Sequence, residues 1–201
     1  MNNQKAAFLD RDGVINVNYG YVSKAEDITF FPGVFEATKK LQDAGYQIFV
    51  ITNQSGIGRG YYSEAEFHQL TSWITKQFQQ HGVTISDTAF CPHHPEKAHP
   101  PYLQVCHCRK PAPGMINQLS EQYKVDKHQS VLFGDKLSDI KAAENAGLGF
   151  AWLIDSVDPT LNVDDTVEKI RPSLNALKYK TRADSLLSAV NQFIRSSHKP
   201  E

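Results

Sequence analysis

Short apolar runs in this chain stop abruptly at polar residues, and they do so repeatedly. Residues 6–9 (Ala-Ala-Phe-Leu) stop at Asp10, and residues 47–51 (Gln-Ile-Phe-Val-Ile) stop at Thr52. Residues 88–91 (Thr-Ala-Phe-Cys) lead into a cysteine-containing loop, 131–133 (Val-Leu-Phe) stop at Gly134-Asp135, and 151–154 (Ala-Trp-Leu-Ile) stop at Asp155. Continuous runs of this length predict parallel strands buried on both faces. Between them the period becomes helical. Val34, Ala37, Leu41 and Ala44 share one face, with Gly45 at the expected stop. Ser63 and Glu66 are spaced as a capping box ahead of Phe67, Leu70, Ile74 and Phe78, and Tyr62 and Phe67 as a hydrophobic staple. Pro113 opens a helix carrying Ile116, Leu119 and Tyr123, and Ile140, Ala143 and Ala146 form another stripe ended by Gly147. Ala183, Leu186, Leu187, Val190, Phe193 and Ile194 predict a closing helix. Residues 155–182, with Pro159 and Pro172, predict no long element, and residues 196–201 are expected to fray.

This alternation predicts an α/β fold, a three-layer sandwich whose Rossmann-like parallel sheet carries helices on both faces. Only short connections follow the first strand and the Thr52 segment. Gly20 and Gly56-Ile57-Gly58 are therefore placed in loops, and no large cap domain is expected. Ligands bind such sheets beyond the carboxyl ends of the strands, where Asp10, Thr52 and Asp135 fall.

With 201 residues, 40% of them hydrophobic, one domain spanning residues 1–201 is expected. Lys and Arg number 21 against 22 Asp and Glu, a net charge of −1 without a long basic run. That balance argues against nucleic acid and anionic membranes as partners. No apolar stretch reaches membrane-spanning length, and residues 6–9 are too short for a secretory apolar region, so a cytoplasmic, monomeric protein is expected.

All three cysteines fall within residues 91–108, as Cys91-Pro92-His93 and Cys106-His107-Cys108, directly before Arg109-Lys110. Three cysteines cannot all pair as disulfides, and in a reducing compartment close Cys and His residues favour metal. Cys91, His93, Cys106 and Cys108 suit one tetrahedral Zn²⁺, with His94 or His107 as alternatives to His93. A closed set of four would make the zinc loop 91–108 structural, with metal binding supplying the order that a Pro- and His-rich segment lacks.

Asp10-Arg11-Asp12-Gly13 alone is no more than an acidic turn. Its company changes the reading: Thr52-Asn53-Gln54-Ser55-Gly56, Arg109-Lys110-Pro111 and Gly134-Asp135-Lys136-Leu137-Ser138-Asp139. Two carboxylate pairs, a hydroxyl and a lysine at strand ends are the parts for Mg²⁺-assisted phosphoryl transfer. These four segments, in this order across residues 8–155, resemble the haloacid dehalogenase superfamily of aspartate-nucleophile phosphatases. The resemblance implies that Asp10 attacks phosphorus and that Asp12 serves as acid and then base. It implies Mg²⁺ held by the side chains of Asp10 and Asp135 and the backbone carbonyl of Asp12. Thr52 and Lys110 would contact the phosphoryl oxygens, and Asp139 would orient Lys110 or a metal-bound water. Val14 departs from the threonine often found there and removes a supporting hydroxyl.

Within that superfamily the cysteine segment is similar to that of the D-glycero-D-manno-heptose 1,7-bisphosphate 7-phosphatases, as are Gly20-Tyr21-Val22 and Pro113-Gly114-Met115. This implies a small sugar bisphosphate as substrate, in a route to nucleotide-activated heptose for surface polysaccharide. Its contacts would be Asn18, Tyr19, Gly20, Tyr21, Asn53, Gln54, Ser55, Arg109 and Lys136, with Arg109 on the uncleaved phosphate. Two alternatives stand beside it. The related histidinol-phosphate phosphatases carry a zinc loop with a shorter spacer than the one from His93 to Cys106. A non-catalytic receiver-like phosphoacceptor module lacks use for a leaving-group acid such as Asp12.

Overall fold

The computed structural model describes residues 4–155 and 180–197. Its sheet has six parallel strands: β1 (Ala6–Leu9), β2 (Gln47–Asn53), β3 (Ile85–Cys91), β4 (Val131–Gly134), β5 (Phe150–Ile154) and β6 (Lys180–Ala183). They are ordered β3-β2-β1-β4-β5-β6. The register Leu9↔Val50 and Leu9↔Phe133 brings the ends of the three central strands level.

Because side chains alternate across a strand, every second residue of β1 meets a different layer. Ala7 and Leu9 pack with Val34 and Leu41 of α1 (Val34–Asp43), Leu70, Ile74 and Phe78 of α3 (Glu64–Gln80), and Val190 and Phe193 of α6 (Leu186–Ser197). Ala6 and Phe8 pack on the opposite face with Met115, Ile116 and Leu119 of α4 (Gly114–Tyr123) and Ile140 and Ala143 of α5 (Leu137–Ala146). Both layers are closed to solvent at their large side chains: Phe8, Phe49, Phe78 and Phe133 are fully buried. Burying each contributes roughly 1.5–3 kcal/mol relative to exposure, which fixes the sheet against which the polar loops are placed. The expected capping box is present, with the Ser63 hydroxyl accepting from the Glu66 N–H and the Glu66 carboxylate accepting from the Ser63 N–H.

Several boundaries differ from expectation. β3 begins at Ile85 rather than at residue 88, because it is an edge strand whose Ser86, Asp87 and Thr88 are only partly covered. β2 runs through Asn53, so Thr52 lies inside the strand, opposite Phe90. Residues 180–183, expected to be irregular or helical, form edge strand β6 beside β5, and the closing helix starts at Leu186 rather than at Ala183. Finally, the Gly56-Ile57-Gly58 loop is one helical turn, α2 (Ser55–Gly58). Most of the segment expected to lack long elements lies outside the described residues. Among those described, no helix is long and apolar enough to cross a membrane.

Candidate active site

Asp10 directly follows β1, and its N–H donates to the Phe133 carbonyl of β4 at 3.0 Å. The sheet itself therefore sets the carboxylate at the strand end. Buried Lys110 approaches from a loop, with its Nζ 2.9 Å from Asp10 Oδ1 and 2.6 Å from Asp139 Oδ1. It also donates to the Ile51 carbonyl at 3.0 Å. Burial alone would discharge this lysine, but the carboxylates of Asp10 and Asp139 outweigh it and push its pKa up, keeping the cation. The backbone of Lys110 is pinned as well. The Asn53 amide accepts from its N–H at 3.0 Å and donates to its carbonyl at 3.1 Å.

Asp10, Asp135 and Asp139 bring carboxylate oxygens within 4.8 Å of one another. Gly13 makes room for this. It has φ +101°, and a Cβ there would stand 2.2 Å from Asp135 Oδ2. Asp135 Oδ1 is buried without a hydrogen-bond partner. Burial first, and then the Asp10 charge, push the Asp135 carboxyl up to about 8. A crowded set of hard oxygen donors with one orphaned lone pair fits Mg²⁺. The carboxylate of Asp12 is not in this set, which leaves only its backbone carbonyl for the metal role expected of it.

The Asp12 side chain turns to other partners. Arg11 grips it through Nε at 3.1 Å and Nη2 at 2.8 Å, Asn16 donates at 3.0 Å, and Gln54 Nε2 donates at 3.0 Å. The same Gln54 nitrogen donates to Thr52 Oγ1 at 2.7 Å, and its Oε1 accepts from the Tyr62 hydroxyl. Both Gln54 hydrogens are thus used inside the protein. Thr52, accepting from Gln54, keeps its own O–H to offer to a phosphoryl oxygen. Burial, and secondarily the Asp12 charge, push Tyr62 up to about 12 against the opposing Arg11 charge, so it remains a donor throughout the neutral range.

Residues 91–108 form a second cluster. Cys91 Sγ lies 3.6 Å from His93 Nδ1 and 3.5 Å from Cys106 Sγ. Cys108 Sγ lies 3.3 Å from His93 Nδ1 and 3.4 Å from Cys106 Sγ. Edges of this length surround the space of a tetrahedral ion with Zn–S near 2.3 Å and Zn–N near 2.0–2.1 Å. His93 is the imidazole gathered there. His94 Nδ1 instead accepts from the N–H groups of Glu96 and Lys97 at 3.1 and 3.0 Å. Arg109 Nη1 donates to the His93 carbonyl at 3.2 Å, tying the cluster to the residue beside Lys110.

A cavity of about 510 Å³ opens between these groups, lined among others by Asp10, Asp12, Thr52, Lys110, Arg109 and Lys136. Asn18, Gly20, Tyr21, Asn53, Gln54 and Ser55 line it too, whereas Tyr19 does not and is half-exposed elsewhere. Lys136 Nζ pairs with Asp135 at 3.2 Å. Arg59, Tyr62 and Ser138 line the cavity without having been expected there. Tyr62 reads in sequence only as a helix staple, and the one available signal for Arg59 is a lone cation closing a Gly-rich turn.

The family model of haloacid dehalogenase-like hydrolases matches residues 3–147. A D-glycero-α-D-manno-heptose-1,7-bisphosphate 7-phosphatase of Photorhabdus laumondii is 46% identical over 159 residues, covering 79% of this chain and 87% of that protein. A D-glycero-β-D-manno-heptose-1,7-bisphosphate 7-phosphatase of Haemophilus ducreyi is 47% identical over 146 residues, covering 72% and 80%. Among solved structures, the D,D-heptose 1,7-bisphosphate phosphatase of B. bronchiseptica, complexed with magnesium and phosphate, superposes with TM-score 0.79 at 27% identity. That match covers 96% of this chain and 99% of the other.

Proposed function

The chain belongs to the haloacid dehalogenase-like hydrolases, and from that premise we propose that it removes the 7-phosphate of D-glycero-D-manno-heptose 1,7-bisphosphate. The observation that carries this reading is the meeting, in one cavity, of the Asp10–Lys110–Asp139 constellation with Arg109, which is hydrogen-bonded to His93 of the Cys/His cluster. The relatives named for this activity support it.

In this reading Asp10 attacks phosphorus and carries the phosphoryl group as an aspartyl-phosphate. Asp12 gives a proton to the departing sugar hydroxylate and later takes one from the attacking water. To do so it must exchange part of its Arg11 and Gln54 contacts for substrate. Thr52 and Lys110 hold phosphoryl oxygens, and Asp139 keeps Lys110 charged and aimed. Mg²⁺ would be held by Asp10, Asp135 and the Asp12 carbonyl, and supplies charge neutralisation for the phosphoryl group when bound. Zn²⁺ would be held by Cys91, His93, Cys106 and Cys108 in a closed structural set. Arg109 takes the retained phosphate. Lys136, Ser55, Asn18, Gly20 and Tyr21 contact the sugar. The whole chain would act as one cytoplasmic, monomeric domain feeding ADP- or GDP-heptose synthesis for surface polysaccharide.

Relatives named for the α and for the β anomer match about equally well, so the test is a panel of both heptose bisphosphate anomers and histidinol phosphate under Mg²⁺. The expected result is the highest kcat/KM on a heptose bisphosphate. Faster release from histidinol phosphate overturns the substrate.

A further inference from the structure

The cavity holds a cation that the chemistry above does not use. Arg59 closes α2, its N–H bonded to the Ser55 carbonyl at 3.0 Å, and its side chain lines the same cavity as Asp10, Lys110 and Arg109. Its Nε is buried and has no hydrogen-bond partner. Among the described residues no carboxylate lies within ion-pair distance of it. Buried donors are rarely left in this state, and here the side chain that carries the donor lines a cavity.

The position of Arg59 is built from both sides. Its guanidinium carbon stands 5.5 Å from the centre of the Tyr21 ring, a cation–π distance. Tyr21 itself has φ 54°, a left-handed conformation uncommon for a bulky residue and found where function over-determines the backbone. Its ring makes an edge contact with Tyr61 at 4.6 Å, and it packs over Gly56, where a Cβ would stand 2.9 Å from Tyr21 Cδ1. From the other side, α2 docks on the cysteine loop. The His99 N–H donates to the Gly58 carbonyl at 2.7 Å, and a Cβ at Gly58 would stand 2.6 Å from the Pro92 carbonyl oxygen. The loop that delivers Arg109 therefore also fixes the turn that delivers Arg59.

We infer that Arg59, held over Tyr21, works with Arg109 as a two-guanidinium receptor for the second, uncleaved phosphate of the substrate. A phosphate dianion offers more oxygens than one fork can satisfy, and two planar forks match it. The inference rests on the sugar bisphosphate reading and adds the residue that would make the enzyme favour a bisphosphate over a monophosphate.

The test uses the metal-loaded enzyme and reads a ratio: kcat/KM for heptose 1,7-bisphosphate over kcat/KM for 4-nitrophenyl phosphate, which carries no second phosphate. In Arg59→Met the ratio is expected to fall about tenfold or more, the scale of a lost charge-assisted bond. Arg59→Lys, which keeps the charge without the fork, should fall between it and the parent. The inhibition constant of the product heptose 1-phosphate should rise in parallel. A ratio held within about twofold of the parent in both variants overturns the role of Arg59 alone, since such a change is below the worth of one charged bond. A parent enzyme that does not favour the bisphosphate overturns the substrate reading, and this inference with it.

Discussion

Two donor clusters meet at one cavity, and they are positioned by opposite means. The oxygen cluster of Asp10 and Asp135 stands at the ends of β1 and β4, which are hydrogen-bonded neighbours in register from Ala7↔Val131 to Leu9↔Phe133. Fully buried strands hold it before any ion arrives. The sulfur and nitrogen cluster lies between β3 and α4, where residues 92–113 contain no helix or strand. Little apolar burial holds that loop, since Val105 and Leu103 face solvent. The contrast separates two tasks. The sheet places the carboxylates proposed to react, and the loop, with its own donor set, places Arg109 and braces the turn that carries Arg59.

The largest effect is expected where the sheet acts alone. Asp10→Asn removes the attacking oxygen but keeps the shape, and Lys110 retains Asp139 as its partner. Turnover should fall on the order of 10⁴-fold or more, as when other enzymes lose a nucleophile, with the cooperative thermal transition of the fold retained. Undiminished phosphate release would remove Asp10 from the nucleophile role. A smaller effect is expected from the loop. Cys106→Ser breaks the donor set, so bound zinc measured by metal analysis should drop and Arg109 should lose its seat. Misplacing a binding group by about an ångström costs on the order of 10²-fold, and the loss should fall on bisphosphate kcat/KM while calorimetric Mg²⁺ binding persists. Equal loss of both metals would mean the two clusters are not separable, and the comparison would fail.

The same contrast decides what sequence could foresee. Asp10 and Asp135 were legible because a buried parallel strand must be apolar until it leaves the core, so a polar residue just beyond the run marks the ligand edge, and Thr52 was found the same way although β2 continues past it to Asn53. The cysteine cluster was legible by spacing alone, but which of three histidines gathers with it required the fold, which commits the His94 ring nitrogen to a local turn. Edge strand β6 went unseen because its residues Lys180, Thr181 and Arg182 lack an apolar run, and pairing with β5 makes it a strand. Asn53 and Gln54 read as substrate contacts, yet their amides brace Lys110, Asp12 and Thr52. Arg59 belongs to no motif and Tyr62 only to a helix staple; the packing of α2 on the loop and of Tyr62 on Gly56 goes with their place at the cavity.

The smallest expected effect concerns the oxygen cluster without its ion. Asp135, pushed up to about 8, holds a proton through the neutral range that its unfolded counterpart, with the ordinary value of 3.8, has released. Between those values the native metal-free protein binds more protons than the unfolded chain, so this group makes metal-free stability decline as pH rises through that window. Mg²⁺ must displace the proton, so its apparent affinity should fall about tenfold from about pH 7.5 to about pH 6.5, with close to one proton released per ion at the lower pH. Titration calorimetry in buffers of different ionisation enthalpy reads that proton directly. The zinc set lies outside this linkage, so Cys106→Ser should leave the Mg²⁺ pH dependence in place. A pH-independent Mg²⁺ affinity would show that Asp135 is already ionised, and that Lys110 and Lys136 neutralise the oxygen cluster before the cation does.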